Sequence, residues 1–176
     1  MTKRPFFDNV IAFFFILAGL YNLGGILYAT SFFMDQTIVD VNPAVFSWFG
    51  QISVILWGLA YLSVSFSFYN VPKLVFVFFI EKMVYAVTWA VWFFSNQDVV
   101  TKLAETSPKL ASFFKFYGAG DLFFGLFFLW VVIRTTREKS ATLAVKPTPP
   151  TQRTEPEIGE EKADSAHAHE VAEKVV

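Results

Sequence analysis

Three charged side chains, Glu81, Lys82 and Asp121, stand deep inside stretches otherwise apolar enough to cross a membrane. Each costs roughly 2.5–3.5 kcal/mol near the middle of a bilayer on insertion scales, so such groups turn toward a protein interior and find partners there. Asn22 and Gln51 add uncharged polar groups, and Tyr61, Tyr85 and Trp57 add aromatic rings with one polar atom each. A carboxyl group near an ammonium and an amide can relay protons, hold a small cation or anchor the polar head of a ligand. A neutral carboxylic acid beside a base can instead do acid–base chemistry on a lipophilic substrate.

The same residues also admit structural roles. Glu81 and Asp121 can pin helix register through ion pairs or hydrogen bonds. Lys82 can run its stem along the helix to the headgroups. Adjacent helical residues point about 100° apart, so Glu81 and Lys82 need not pair with each other. Trp and Tyr serve packing and membrane interfaces as readily as a ligand box.

The elements that carry these groups are apolar runs. The 176 residues are 55% hydrophobic and 16% charged, with 23 phenylalanines, which a water-soluble fold of this size could not hide. Crossing a bilayer core takes about 20 helical residues. The runs at 6–33, 48–69, 73–96 and 113–134 meet that length. Asn70-Val71-Pro72 is a link short enough to make the second and third runs an antiparallel hairpin. A polar connection spans 34–47, and the polar loop over 97–115 holds a short interfacial helix, with Val99, Val100, Leu103 and Ala104 on one face, stopped before Pro108. The expected fold is all-α: a transmembrane antiparallel four-helix bundle over residues 1–134, with a disordered cytoplasmic C-terminal tail over 135–176.

At about 1.5 Å per residue, Glu81 lies roughly 12 Å inward from Lys73, and Asp121 roughly 20 Å from Arg134. Two polar layers follow. One holds Glu81, Lys82 and Tyr61; the other holds Asp121, Asn22, Tyr85 and Trp57, with Gln51 near the mouth. Glu81, Tyr85, Thr88 and Trp92 read as one stripe. Gly118, Asp121 and Gly125 share a second face, and Ala18, Asn22, Gly25 and Ala29 a third. Small residues let helices approach closely in lipid, so the polar groups are placed against other helices.

Lys3, Arg4, Lys73, Arg134, Arg137 and Lys139 gather on one side of the expected bundle. Lys102, Lys109 and Lys115 share the other side with Asp98 and Glu105, a balance that puts both termini in the cytoplasm. Trp48, Tyr69, Trp92, Tyr117 and Trp130 stand near run ends as interfacial aromatics. The net charge of −1 provides no basic field for nucleic acid, and the lack of cysteine excludes disulfide and thiolate chemistry. No metalloprotease, hydrolase-elbow, phosphate-loop or dinucleotide motif occurs. His167 and His169 in the acidic tail are a weak metal pattern, and KPTPP reads as a spacer.

The segments YNLGG (21–25), EKMVY (81–85) and GAGDLFFGLFFLW (118–130) resemble the BphX-like small bacterial membrane proteins, with a looser similarity to the DoxX-like four-helix group. The resemblance covers residues 6–134 and implies a helical bundle in a bacterial inner membrane; it brings no cofactor or catalytic residue. The expected function is binding of a small ligand, ion or proton, or a transport-linked role, at Glu81, Lys82, Asp121, Asn22, Tyr85, Tyr61 and Trp57. The alternatives are an accessory or scaffold subunit of a larger membrane complex and a membrane enzyme acting on a lipophilic substrate. The expected partners are the lipid bilayer and a homo-oligomer or larger complex.

Overall fold

The computed structural model describes residues 6–145, all of whose regular elements are helical. The acidic end, the two histidines and Lys3-Arg4 lie outside the described residues. In order, the helices are α1 (Phe6–Ala29), α2 (Thr37–Val41), α3 (Pro43–Phe46), α4 (Trp48–Val64), α5 (Pro72–Ser95), α6 (Gln97–Thr106) and α7 (Pro108–Val145). Three of them, α1, α5 and the Pro108–Ala141 part of α7, are long and apolar enough to cross a membrane. Helix α4 is apolar but only 17 residues long, about 26 Å.

Local chemistry sets the helix ends. Helix α4 stops at Val64, short of the expected 69, where Ser65 and Ser67 turn their hydroxyls back onto the carbonyls of Leu62 and Val64. A 3₁₀ turn, Phe68–Asn70, then leads into α5, which has Pro72 in its first turn. Helix α7 starts earlier than expected, at Pro108, and continues past Arg134 into the stretch expected to be disordered. No Gly or Pro interrupts it between Gly125 and Pro147, and Arg134 bonds Glu138 one turn on at 2.8 Å.

The 34–47 connection is more than a polar link. Asn42 accepts a hydrogen bond from the Val45 N–H and Pro43 opens α3, which folds the segment into two short helices. Ile38, Val45 and Phe46 are buried there, in one cluster with Leu103 of α6 and Leu110, Phe114 and Tyr117 of α7. The short helix expected before Pro108 is α6, with Val100 and Leu103 buried.

The long helices pack antiparallel to their close neighbours: α1 along α4, α5 along α7, and α1 also against α7. At the α1–α4 crossing, a Cβ placed on Gly58 would stand 3.0 Å from the Gly19 carbonyl oxygen, so neither helix tolerates a side chain there. Helices α4 and α5, despite their short link, meet through large side chains, with the Tyr61 and Trp57 rings set edge-on to Phe78. Those rings hold the two backbones apart and leave room in the interior. Outward faces carry Phe13, Leu56, Val87, Val91 and Phe123, while charge is buried: the reverse of a water-soluble fold.

Both ends are tied by charge. At one end Arg134 pairs with Asp8 at 3.4 Å and lies over the Phe7 and Trp130 rings, and Lys139 lies over Tyr69. At the other, Lys109 donates to Ser31 Oγ at 2.6 Å and stands 3.7 Å from Asp35. Hydrogen bonds from Thr37, with Lys109 behind them, hold the Asp35 carboxyl below the usual carboxylate range. Between these groups Ser31, Phe32 and Phe33 have φ of 49°, 59° and 69°, a left-handed run that costs non-glycine residues strain. It is held by bonds from the Phe33 N–H to Thr30 Oγ1 and from the Asp35 N–H to the Thr30 carbonyl.

Gly58→Leu is expected to destabilise the protein by about 1–3 kcal/mol through overpacking at the α1–α4 crossing. Gly24→Ala, where nothing lies within 4 Å of the new Cβ, is expected to stabilise it by up to about 1 kcal/mol through helix propensity. Thermal unfolding of both variants in one detergent checks the contrast.

Candidate functional site

Helix α7 carries a glycine wherever α5 must come closest. A Cβ on Gly118 would overlap the Trp89 ring, and one on Gly125 would stand 3.3 Å from Lys82 Cβ. Lys82 therefore leaves α5 at the level of Gly125. Its stem runs one turn along α7 to Asp121, where Nζ lies 2.5 Å from Oδ1. The same ammonium donates to Asn22 Oδ1 of α1 at 2.7 Å. Asn22 Nδ2 in turn donates to the Val54 carbonyl of α4 at 3.2 Å, which fixes the amide with its oxygen toward the lysine. The ammonium also lies 5.7 Å from the Tyr21 ring centroid and 5.3 Å from that of Tyr61. One lysine thus joins all four long apolar helices.

Lys82 is 1% exposed and Asp121 5%, so the lysine does not reach for headgroups. It also merges the two expected layers, since it belongs to the level of Glu81 by sequence and to that of Asp121 by contact. Glu81, on the neighbouring face of α5, accepts a hydrogen bond from the Tyr61 hydroxyl of α4. No cation lies within ion-pair distance of Glu81 among the described residues. The site therefore holds one matched ion pair and one carboxyl group whose hydrogen-bond partner is neutral.

A cavity of about 180 Å³ opens beside these groups. Glu81, Lys82, Asp121 and Asn22 are its polar lining. Phe46, Tyr85, Phe113, Phe116 and Tyr117 add aromatic rings, and Gly25, Ile26 and Val54 also line it. The Tyr21 hydroxyl donates to the Tyr117 carbonyl at 2.5 Å. Tyr117 is itself 6% exposed, and its hydroxyl has no hydrogen-bond partner. A buried phenol without a partner loses the bonds it would make to water, at a cost of about 1–3 kcal/mol.

Of the residues singled out by sequence, Glu81, Lys82, Asp121, Asn22 and Tyr85 line this cavity. Tyr61 stands behind Glu81, and Trp57 packs on Phe78 away from it. Gln51 donates to the Phe46 carbonyl at 2.9 Å and braces the cap. The expected α5 stripe breaks at Thr88, which is exposed; Trp89 turns inward instead and donates to the Phe114 carbonyl at 2.7 Å. Tyr117, expected at the interface, is a wall of the cavity. Sequence reasoning missed it together with Tyr21, Gly25, Phe113 and Phe116. For Tyr117 a signal existed, because it precedes Asp121 by one helical turn and shares its face. Among the described residues, no group of three His, Cys, Asp or Glu could hold a metal ion.

Asp121→Asn or Lys82→Met alone is expected to cost about 3–5 kcal/mol, because each leaves the other charge buried and unmatched. The double variant Lys82→Met/Asp121→Leu is expected to recover most of that loss, a coupling that denaturant titration in mixed micelles reads directly. No family model, curated protein or solved structure matches the chain, so the site has to be read from its own geometry.

Proposed function

We propose that this protein binds a small ligand at membrane depth, in the cavity between Glu81, Asp121 and the Tyr117 wall. The observation that carries the reading is a cavity of about 180 Å³ lined by Glu81, Lys82, Asp121 and Asn22 together with Tyr85, Phe113, Phe116 and Tyr117. A cavity that is mostly apolar with a few convergent polar groups is the usual form of a ligand site. An apolar cavity of about 150 Å³ holds benzene, which sets the scale of the occupant.

In this proposal the chain sits in a bacterial inner membrane as an antiparallel four-helix bundle of the BphX-like or DoxX-like kind, with both termini cytoplasmic. The ties of Arg134 to Asp8 and of Lys139 to Tyr69 support it, because they gather the ends of α1 and α4 and the basic part of α7. The Lys109 tie to Ser31 and Asp35 marks the opposite end. The absence of native cysteine makes sidedness simple to measure. A membrane-impermeant maleimide on intact spheroplasts is expected to label Lys109→Cys and to spare Lys73→Cys until the membrane is permeabilised. The reverse pattern overturns the orientation.

The ligand reading is tested by filling the cavity. A Cβ on Gly25 would meet only Phe113, at 3.9 Å, so Gly25→Leu is expected to occupy the space and leave the fold intact. Benzylammonium and benzyl alcohol serve as probes, with saturation-transfer NMR on the protein in zwitterionic nanodiscs as the readout. Transfer to at least one probe is expected with the native protein and not with Gly25→Leu at unchanged thermal stability. Equal transfer to both proteins, or none to either, overturns the reading.

A further inference from the structure

We propose that the occupant of the cavity is a small organic monocation, an ammonium ion that keeps at least one N–H and carries an apolar group of about benzene size. The inference rests on the cavity being a ligand site, and adds the charge and chemistry of what fills it.

Lys82 and Asp121 neutralise each other at 2.5 Å, and the remaining bonds of that pair go to Asn22. Glu81 is left with the Tyr61 hydroxyl, a neutral donor, and faces the same cavity. A second anion there would add to a carboxyl group that has no cation within ion-pair distance, whereas a cation would complete a second ion pair beside the first. Lys82 cannot do so, since its ammonium is committed to Asp121 and Asn22.

The walls select in the same direction. Tyr85, Phe113, Phe116 and Tyr117 line the cavity, and aromatic linings favour organic cations, which need little desolvation and interact with the ring quadrupole. The protein already uses this contact internally, with Lys82 placed over two tyrosine rings. An N–H on the ligand would meet the second oxygen of the Glu81 carboxylate, whose Oε2 accepts from the Tyr61 hydroxyl. A metal cation fits poorly, because the walls supply rings where it would need oxygen ligands.

The experiment compares three probes of one shape: benzylammonium, neutral benzyl alcohol and anionic benzoate, each titrated at neutral pH against the native protein in zwitterionic nanodiscs. Nanodiscs holding Gly25→Leu provide the reference for partition into lipid. The expected ranking places benzylammonium at least ten-fold tighter than benzyl alcohol, with no benzoate binding. Glu81→Gln is expected to remove that ten-fold preference. Benzyl alcohol or benzoate binding as tightly as benzylammonium, at a site closed by Gly25→Leu, overturns the proposal while the ligand reading stands. If no probe distinguishes native protein from Gly25→Leu, the ligand reading falls and this proposal with it. A Glu81→Gln variant that folds and keeps the full preference for benzylammonium also overturns it. Should that variant not fold, the native ranking alone decides.

Discussion

A charge that leaves water must find its opposite, and the ion pair between Lys82 and Asp121 is where this chain meets that constraint. Neither residue is tolerable alone at that depth, and neither is placed by its own helix. Lys82 reaches Asp121 only because Gly125 lets its stem lie flat against α7, and it meets Asn22 only because α1 packs against both α4 and α7. The pair therefore fixes register among helices that the bilayer would otherwise leave free to slide on apolar surfaces.

Residue size complements charge in the same interior. Glycines stand where backbones converge, at Gly19 with Gly58 and at Gly118 and Gly125 opposite α5. Large rings stand where they must not, and Tyr61, Trp57 and Phe78 keep α4 from closing on α5.

Much of this was legible in the sequence and some was not. The apolar runs, the hairpin link, the short helix before Pro108 and the inward turn of Glu81, Asp121 and Asn22 all follow from hydropathy, helix period and the cost of buried charge. The Lys82 partner was not legible, because a long flexible stem can travel a full turn either way, and the glycine that decides its direction is 43 positions on, at 125. The cap built from α2 and α3 was hidden because Ile38, Val45 and Phe46 are scattered among polar neighbours, and only the tertiary cluster shows what they bury against. Tyr117 was read as interfacial because tyrosine prefers both places; burial beside a cavity is a property of the packed assembly and not of residue type.

The short helix α4 has a consequence for the surrounding lipid. Its 17 residues cover less than the roughly 30 Å hydrocarbon slab, while α1 and α5 on either side cover it fully. Were α4 to cross beside them, acyl chains along it would have to shorten or tilt, drawing headgroups and water inward on that flank. The protein would thus carry a dimple in the bilayer on one face, and Trp48, exposed at the start of α4, stands where its rim would lie.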